Sequence, residues 1–410
     1  MARQQMTQTL SQLDARYTWA IASLDRDPHE IFRKHRPMTP LLKREDGVYI
    51  AIRAADVEAL ITDPRTRQLE TQLARARGVV DGPLLQFMAN TLLLSNGVQH
   101  RQRRAPLAKA FAFDLMTELR PRVRSIAEQL IDQHYRRGAM DFISDFANWL
   151  PARVICAILG VPESDIPDFT RRVYSLARAL SSSFSQEDVP ELQRVSGELI
   201  SYVHDLLEDR RLRPREDFLT SYATALDGSE TLSNVEALVQ IVTLLLAGSD
   251  TTRGALAIQT SLLLEHREQW NAVCKDSTLI PGAVLECLRY EPSVASFARV
   301  TVDDIALDGV MLPRGHIVSL STLSALRDPS VYADPDKFDI RRTDHPRRHL
   351  VFGGGVHRCL GETLAKIELQ EALAALSERL PNLELDGGPA IVHGSGGIRS
   401  VRDLRVRWAA

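Results

Sequence analysis

The sequence predicts a mainly α-helical chain with small β-sheets, and three observations predict it. Helical spacing of apolar residues dominates from about Leu107 to Leu288. A capping box, Ser233-Asn234-Val235-Glu236, opens a long apolar helix that runs to about Leu264. Strand-like alternation is confined to short stretches near either end of the chain.

The elements follow in order. Val48-Tyr49-Ile50-Ala51-Ile52 is a strand signal. A second helix starts near Pro281, which suits a first helical turn, and stops before Pro292. Val300 to Leu320 alternates like paired strands, with a turn at Leu312-Pro313-Arg314-Gly315. Arg327 to Arg348 is rich in Asp, Pro and Arg with little periodicity and reads as a long ordered loop. Helical spacing returns at Leu360, Leu364 and Ile367, and Leu383 to Trp408 is strand and turn. No linker, composition shift or internal repeat cuts the 410 residues, so one domain over 1–410 is expected.

With 44% hydrophobic and 25% charged residues the chain can bury a large core, and its net charge of −3 gives no reason to expect nucleic acid as a partner. The start, MARQQMTQTLSQLDARYTW, lacks the apolar core of a leader or anchor. Leu238 to Ala247 meets Gly248-Ser249-Asp250 too soon to cross a bilayer. A cytoplasmic protein with no membrane partner is expected.

Of the four cysteines, Cys156, Cys274 and Cys287 lie in helical or core contexts without paired spacing, as buried structural thiols do. Cys359 differs, because it follows three glycines and a histidine in FGGGVHRCLG, Phe352 to Gly361, where a helix begins. A zinc site needs further Cys/His pairs, and only His357 is near. A dinucleotide loop needs a glycine where Arg358 stands, and the lysine of a phosphate loop is missing. A cysteine-phosphatase loop would need His directly before Cys and Arg at position 365, which is alanine. What remains is a thiol presented at a helix start, where unpaired N–H groups and the dipole favour the thiolate, as a haem-iron ligand requires.

The stretch resembles the haem-binding signature of the cytochrome P450 family, Phe-x-x-Gly-x-x-x-Cys-x-Gly, at Phe352, Gly355, Cys359 and Gly361, with Gly353 and His357 as in many soluble bacterial members. The resemblance runs from about Asp46 to Trp408. It implies haem b with the Cys359 thiolate as axial ligand, held between the long central helix and the helix after the cysteine. The thiolate would push electron density toward iron and favour O–O cleavage.

Ala247-Gly248-Ser249-Asp250-Thr251-Thr252 places poor helix formers in mid-helix. It resembles the family's acid-alcohol pair, which implies that the gap at Gly248 admits dioxygen and water, Thr251 hydrogen-bonds the reacting oxygen and Asp250 relays protons. Glu286 and Arg289 share a helix face. In the family such a pair locks onto an arginine before the haem loop; counting from Phe338 gives Arg342, with Arg341 as the alternative.

Haem propionates need buried cationic donors, and the resemblance offers His100, Arg104, Arg299 and His357. It also implies a basic patch on the cysteine side, Arg101, Arg103, Lys109, Arg347, Arg348, Arg358 and Lys366, for an acidic electron donor. That donor would be an iron-sulfur ferredoxin, less often a flavodoxin, fed by an NAD(P)H-dependent reductase. The reaction implied is insertion of one atom of dioxygen into a C–H bond of a small, mainly apolar substrate, with pocket walls at Phe87, Leu244, Ala247, Gly248, Val294 and Phe297. Arg65, Arg67, Arg75 and Arg77 read as solvated, or one anchors a substrate carboxylate. A peroxide-driven peroxygenase and a non-catalytic haem-thiolate sensor are the alternatives.

Overall fold

Ser233 accepts from the Glu236 amide at 3.3 Å while Glu236 Oε2 accepts from the Ser233 amide at 3.0 Å, so the box read from the sequence starts the helix Asn234–Glu265. The computed structural model describes residues 16–111, 118–180, 185–227 and 231–409; most of the N-terminal stretch read for a leader lies outside them. The chain is mainly helical with small sheets, and it divides into two compact units.

The first unit comprises Met1–Gln68, Thr278–Cys359 and Ala390–Arg402. Its six-stranded sheet runs Thr18–Trp19, Leu41–Arg44, Tyr49–Ala51, Ile317–Ser321, Ser296–Thr301 and Thr66–Arg67 in spatial order. Ser296–Thr301 and Ile317–Ser321 pair antiparallel, as the alternation predicts. Between them, Ile305–Leu307 and Val310–Leu312 form a hairpin of their own that turns at Asp308-Gly309, both at positive φ. The predicted turn at Leu312-Pro313-Arg314-Gly315 is also present: the chain turns at Arg314-Gly315, with Gly315 at φ +80°, and leads back into the sheet. Leu24, Phe32, Leu42, Ile50, Ile52 and Leu323 form a packed cluster there. The helix Ile280–Tyr290 has Pro281 in its first turn, and Arg327 to Arg348 carries no helix or strand.

The second unit comprises Leu69–Ser277, Leu360–Pro389 and Asp403–Ala410. Its axis is Asn234–Glu265, packed by Trp149–Leu159, Ile166–Ala177 and Glu362–Arg379. That axial helix is long and apolar enough to cross a membrane by composition, but burial against those neighbours accounts for its apolarity. Through Gly248 to Thr252 it runs unbroken: the Thr251 hydroxyl donates to the Ala247 carbonyl at 2.9 Å, so the competing side chain bonds within the helix.

Candidate functional site

In the first unit, Phe352 to Cys359 closes into a tight loop. His349 caps the short turn Leu350–Phe352, its Nδ1 accepting the Val351 amide at 3.3 Å. Gly353 and Gly355 have φ of +69° and +59°, which glycine adopts without strain. A Cβ on Gly354 would fall 2.9 Å from Ile61 Cγ2, and one on Gly355 3.0 Å from Thr62 Cγ2, so two of the three glycines let the loop press on the helix Ala54–Thr62. A Cβ on Gly353 would meet the Phe297 ring at 3.7 Å. The Cys359 amide donates to the Phe352 carbonyl at 2.8 Å, Arg358 Nη1 donates to the Gly353 carbonyl at 3.0 Å, and Cys359 is exposed. His357 ends the turn Gly355–His357, half-buried. Of the other cysteines, Cys156 and Cys287 are buried and Cys274 half-buried.

On the helix Ile280–Tyr290, Glu286 and Arg289 are wholly buried, joined at 2.7 Å, and Arg342 Nε lies 3.3 Å from Glu286 Oε2. Arg341 is exposed, and its amide donates to Asp339 Oδ1 at 3.0 Å. Arg299, 6% exposed, donates to Gln68 Oε1 and the Ala298 carbonyl, and among the described residues no carboxylate pairs with it. Burial pulls its guanidinium down to about 10. A buried cation so placed fits an anionic group. Val294 and Phe297 are half-buried, with Val294 bridged to Ile398.

In the second unit, His100 and Arg104 lie one turn apart on the helix Gly97–Ala110. His100 is 1% exposed, and burial, then Arg104 and Arg101, push it down to about 4. Arg103 shares this inward face, three residues on from His100. It is buried and donates to Glu236 Oε1 at 2.8 Å, Ser95 Oγ at 2.7 Å and Asn90 Oδ1 at 3.0 Å. Its place in an exposed basic patch is therefore corrected: it ties helices together. Arg101, Lys109, Arg347 and Arg348 are exposed, while Lys366 pairs with Glu362 at 2.7 Å.

On the axial helix, Asp250 Oδ1 pairs with Arg253 Nη2 at 2.5 Å, and the Arg253 guanidinium stacks 4.4 Å over the Tyr174 ring. Burial raises the Asp250 carboxyl above its ordinary range, with Arg253 opposing. A Cβ on Gly248 would lie 3.4 Å from Ile155 Cδ1, so glycine lets two helices approach there. Phe87, on the helix Gly82–Asn90, and Leu244 are buried, and Ala247 is half-buried. Arg65 pairs with Asp63 at 2.7 Å, Arg75 is exposed and Arg77 is half-buried.

One residue escaped the sequence reading. Glu368, on Glu362–Arg379, is 1% exposed and hydrogen-bonds Thr252, next to Thr251. Burial raises its carboxyl well above the ordinary range, which favours the protonated form. The signal was there: Leu364, Glu368 and Ala372 recur every four residues, a carboxylate within an apolar stripe.

Comparison with known proteins adds independent findings. Residues 164–380 match the family described as Cytochrome P450. The chain is 43% identical over 387 residues, 94% of its length and 92% of the relative's, to "Cytochrome P450-pinF1, plant-inducible" of Rhizobium radiobacter. It is 35% identical to nocardicin C N-oxygenase of Nocardia uniformis subsp. tsuyamanensis over 371 residues, 88% and 90% of the two chains. The crystal structure of CalO2 superposes with a TM-score of 0.88 at 30% identity, covering 95% of this chain and 97% of that one.

Proposed function

This chain belongs to the cytochrome P450 family and is a monooxygenase, and from that premise we propose that it inserts one atom of dioxygen into a small, mainly apolar organic substrate. Electrons come from NAD(P)H through a reductase and an iron-sulfur ferredoxin, and residues 1–410 act as one catalytic domain. The observation that carries this reading is the Phe352–Cys359 loop, which fixes the cysteine amide at 2.8 Å from the Phe352 carbonyl and leaves the thiol exposed two residues before Gly361, the N-cap of a helix.

The donor set fits haem b. Cys359 would be its thiolate ligand, His100, Arg104, Arg299 and His357 would be donors to its propionates, and Phe352, Gly353 and Gly248 would be further residues that hold it. When bound, haem supplies dioxygen activation, helped by electron donation from the thiolate. The Arg299 guanidinium, buried and free of any carboxylate among the described residues, would be neutralised by a propionate.

The protons come from the axial helix. Asp250 is half-buried, desolvation raises its carboxyl above the ordinary range against the pull of Arg253 at 2.5 Å, and it would relay protons. The Thr251 hydroxyl donates to the Ala247 carbonyl at 2.9 Å and would be the group that hydrogen-bonds the reacting oxygen. Glu368, its carboxyl raised by burial and bonded to Thr252, would be a second proton donor. Glu286, Arg289 and Arg342 hold the cysteine loop in register. Phe87, Leu244, Ala247, Val294 and Phe297 would wall the substrate, and their apolar character selects an apolar guest.

The test supplies holoprotein with a ferredoxin, its reductase, NADPH and isotope-labelled dioxygen. Candidate substrates are chosen by the low-spin to high-spin shift they cause, using pairs of an apolar carboxylic acid and its neutral ester. One labelled oxygen per product supports the reading; NADPH oxidation that no compound couples to product contradicts it.

A further inference from the structure

His345 lies between Arg342 and the cysteine loop, and none of the chemistry above uses it. Its side chain is 9% exposed, and neither ring nitrogen has a hydrogen-bond partner among the described residues. Nε2 stands 3.8 Å from Glu286 Oε2, beyond hydrogen-bond reach. Leaving an imidazole buried and unsatisfied is costly, so ring packing holds it there. It meets Tyr332 edge-on with centroids 6.2 Å apart, and lies tilted by 33° against His349 at 5.9 Å.

His349 carries the contact onward. It caps the turn Leu350–Phe352 and meets the Phe352 ring edge-on at 6.2 Å, and the Phe352 carbonyl accepts from the Cys359 amide at 2.8 Å. An unbroken row of rings therefore joins the buried Glu286–Arg342 pair to the backbone that presents the thiol.

We propose that His345 is a positioning residue whose neutral ring, packed between Tyr332 and His349, sets the cysteine turn against the Glu286–Arg342 pair, and whose protonation loosens that turn. This rests on the haem-thiolate reading. The groups facing the ring are Glu286 and Arg289 from Ile280–Tyr290, Arg342 and Asp344 from its own loop, Tyr332 and His349. Burial and the two arginines favour the neutral form, while Glu286 and Asp344 oppose them, and the balance lies below the ordinary histidine range. The ring is therefore neutral at pH 7 and charges on acidification. Once charged it gains Glu286 as a partner, and closing the 3.8 Å gap draws it out of the stack on His349.

The test follows the Soret band of the reduced carbon monoxide complex, which distinguishes thiolate from thiol ligation, in holoprotein from about pH 8 to about pH 5. His345→Phe keeps a ring against His349 and cannot titrate; His345→Ala removes the ring. The native protein is expected to lose thiolate ligation on acidification, with the midpoint for His345→Phe lower by about one pH unit or more. His345→Ala is expected to show reduced thiolate ligation at every pH. Superimposed native and His345→Phe curves overturn the inference while leaving the functional reading intact. A native protein with no thiolate-type band at any pH overturns the functional reading, and the inference with it.

Discussion

Arg289 grips Glu286 through two parallel hydrogen bonds, Nε to Oε2 at 2.7 Å and Nη2 to Oε1 at 2.9 Å, and solvent reaches neither side chain. The same guanidinium donates to the carbonyls of Leu326, Pro335 and Lys337, and Glu286 Oε1 accepts the Asp339 amide. One ion pair thus pins the backbone of the loop that leads to the cysteine. Removing its acid leaves Arg289 buried without a counterion. Glu286→Ala is expected to cost about 3–5 kcal/mol and to lower haem content, both read from thermal melts and pigment per protein. A loss under about 1 kcal/mol, the worth of an exposed pair, would contradict this.

Thr251→Ala removes the hydroxyl now bonded to the Ala247 carbonyl without disturbing the helix backbone. Product formed per NAD(P)H oxidised is expected to fall by about tenfold or more, with the electrons appearing as hydrogen peroxide. Substrate-induced spin shift should be unchanged, which separates a proton-delivery role from a binding one. Coupling equal to the native value would remove Thr251 from the reaction.

Glu368 gives a stability prediction with a definite sign. Its folded carboxyl is held well above the ordinary range by burial, so above the unfolded carboxylate's range the unfolded chain binds fewer protons than the folded one. Stability from this group is complete at acid pH and declines as pH rises toward the folded value. Glu368→Gln keeps a neutral hydrogen-bonding shape and loses the titration. Its melting temperature should therefore gain on the native protein between about pH 5 and about pH 8. A constant difference across that window would mean that Glu368 is ionised in the fold.

Arg103 and Arg101 stand two residues apart and should behave oppositely. Arg103→Ala takes the cation from Glu236 Oε1 and leaves Ser95 and Asn90 without their buried donor, and is expected to destabilise by about 1–3 kcal/mol. Arg101 is exposed, so Arg101→Ala should leave the melting temperature nearly unchanged. If the basic patch receives an acidic ferredoxin, Arg101→Ala should instead raise the KM for ferredoxin and flatten its salt dependence.

Much of this was legible because local chemistry fixes it. The capping box, Pro281 and the Phe352–Gly361 spacing each act over a few residues, and they set the axial helix, the start of Ile280–Tyr290 and the cysteine loop. What escaped depended on neighbours distant in sequence. Arg103 read as one of several basic residues until Glu236, 133 positions away, took it inward. Nothing local to the stretch shows why Gly354 and Gly355 must lack a side chain, because Ile61 and Thr62, far earlier in the chain, set that need. Glu368 could have been found as the charge breaking an apolar stripe, but its partner Thr252 lies on another helix.

Haem binding and the oxygen chemistry proposed above both depend on Cys359 as the iron ligand. The direct measurement is the Soret band of the reduced carbon monoxide complex in purified native protein and in Cys359→Ser. A thiolate-type band in the native protein that disappears in the variant is the predicted result. Absence of a Soret band from the native protein, or the same band in both, would contradict it.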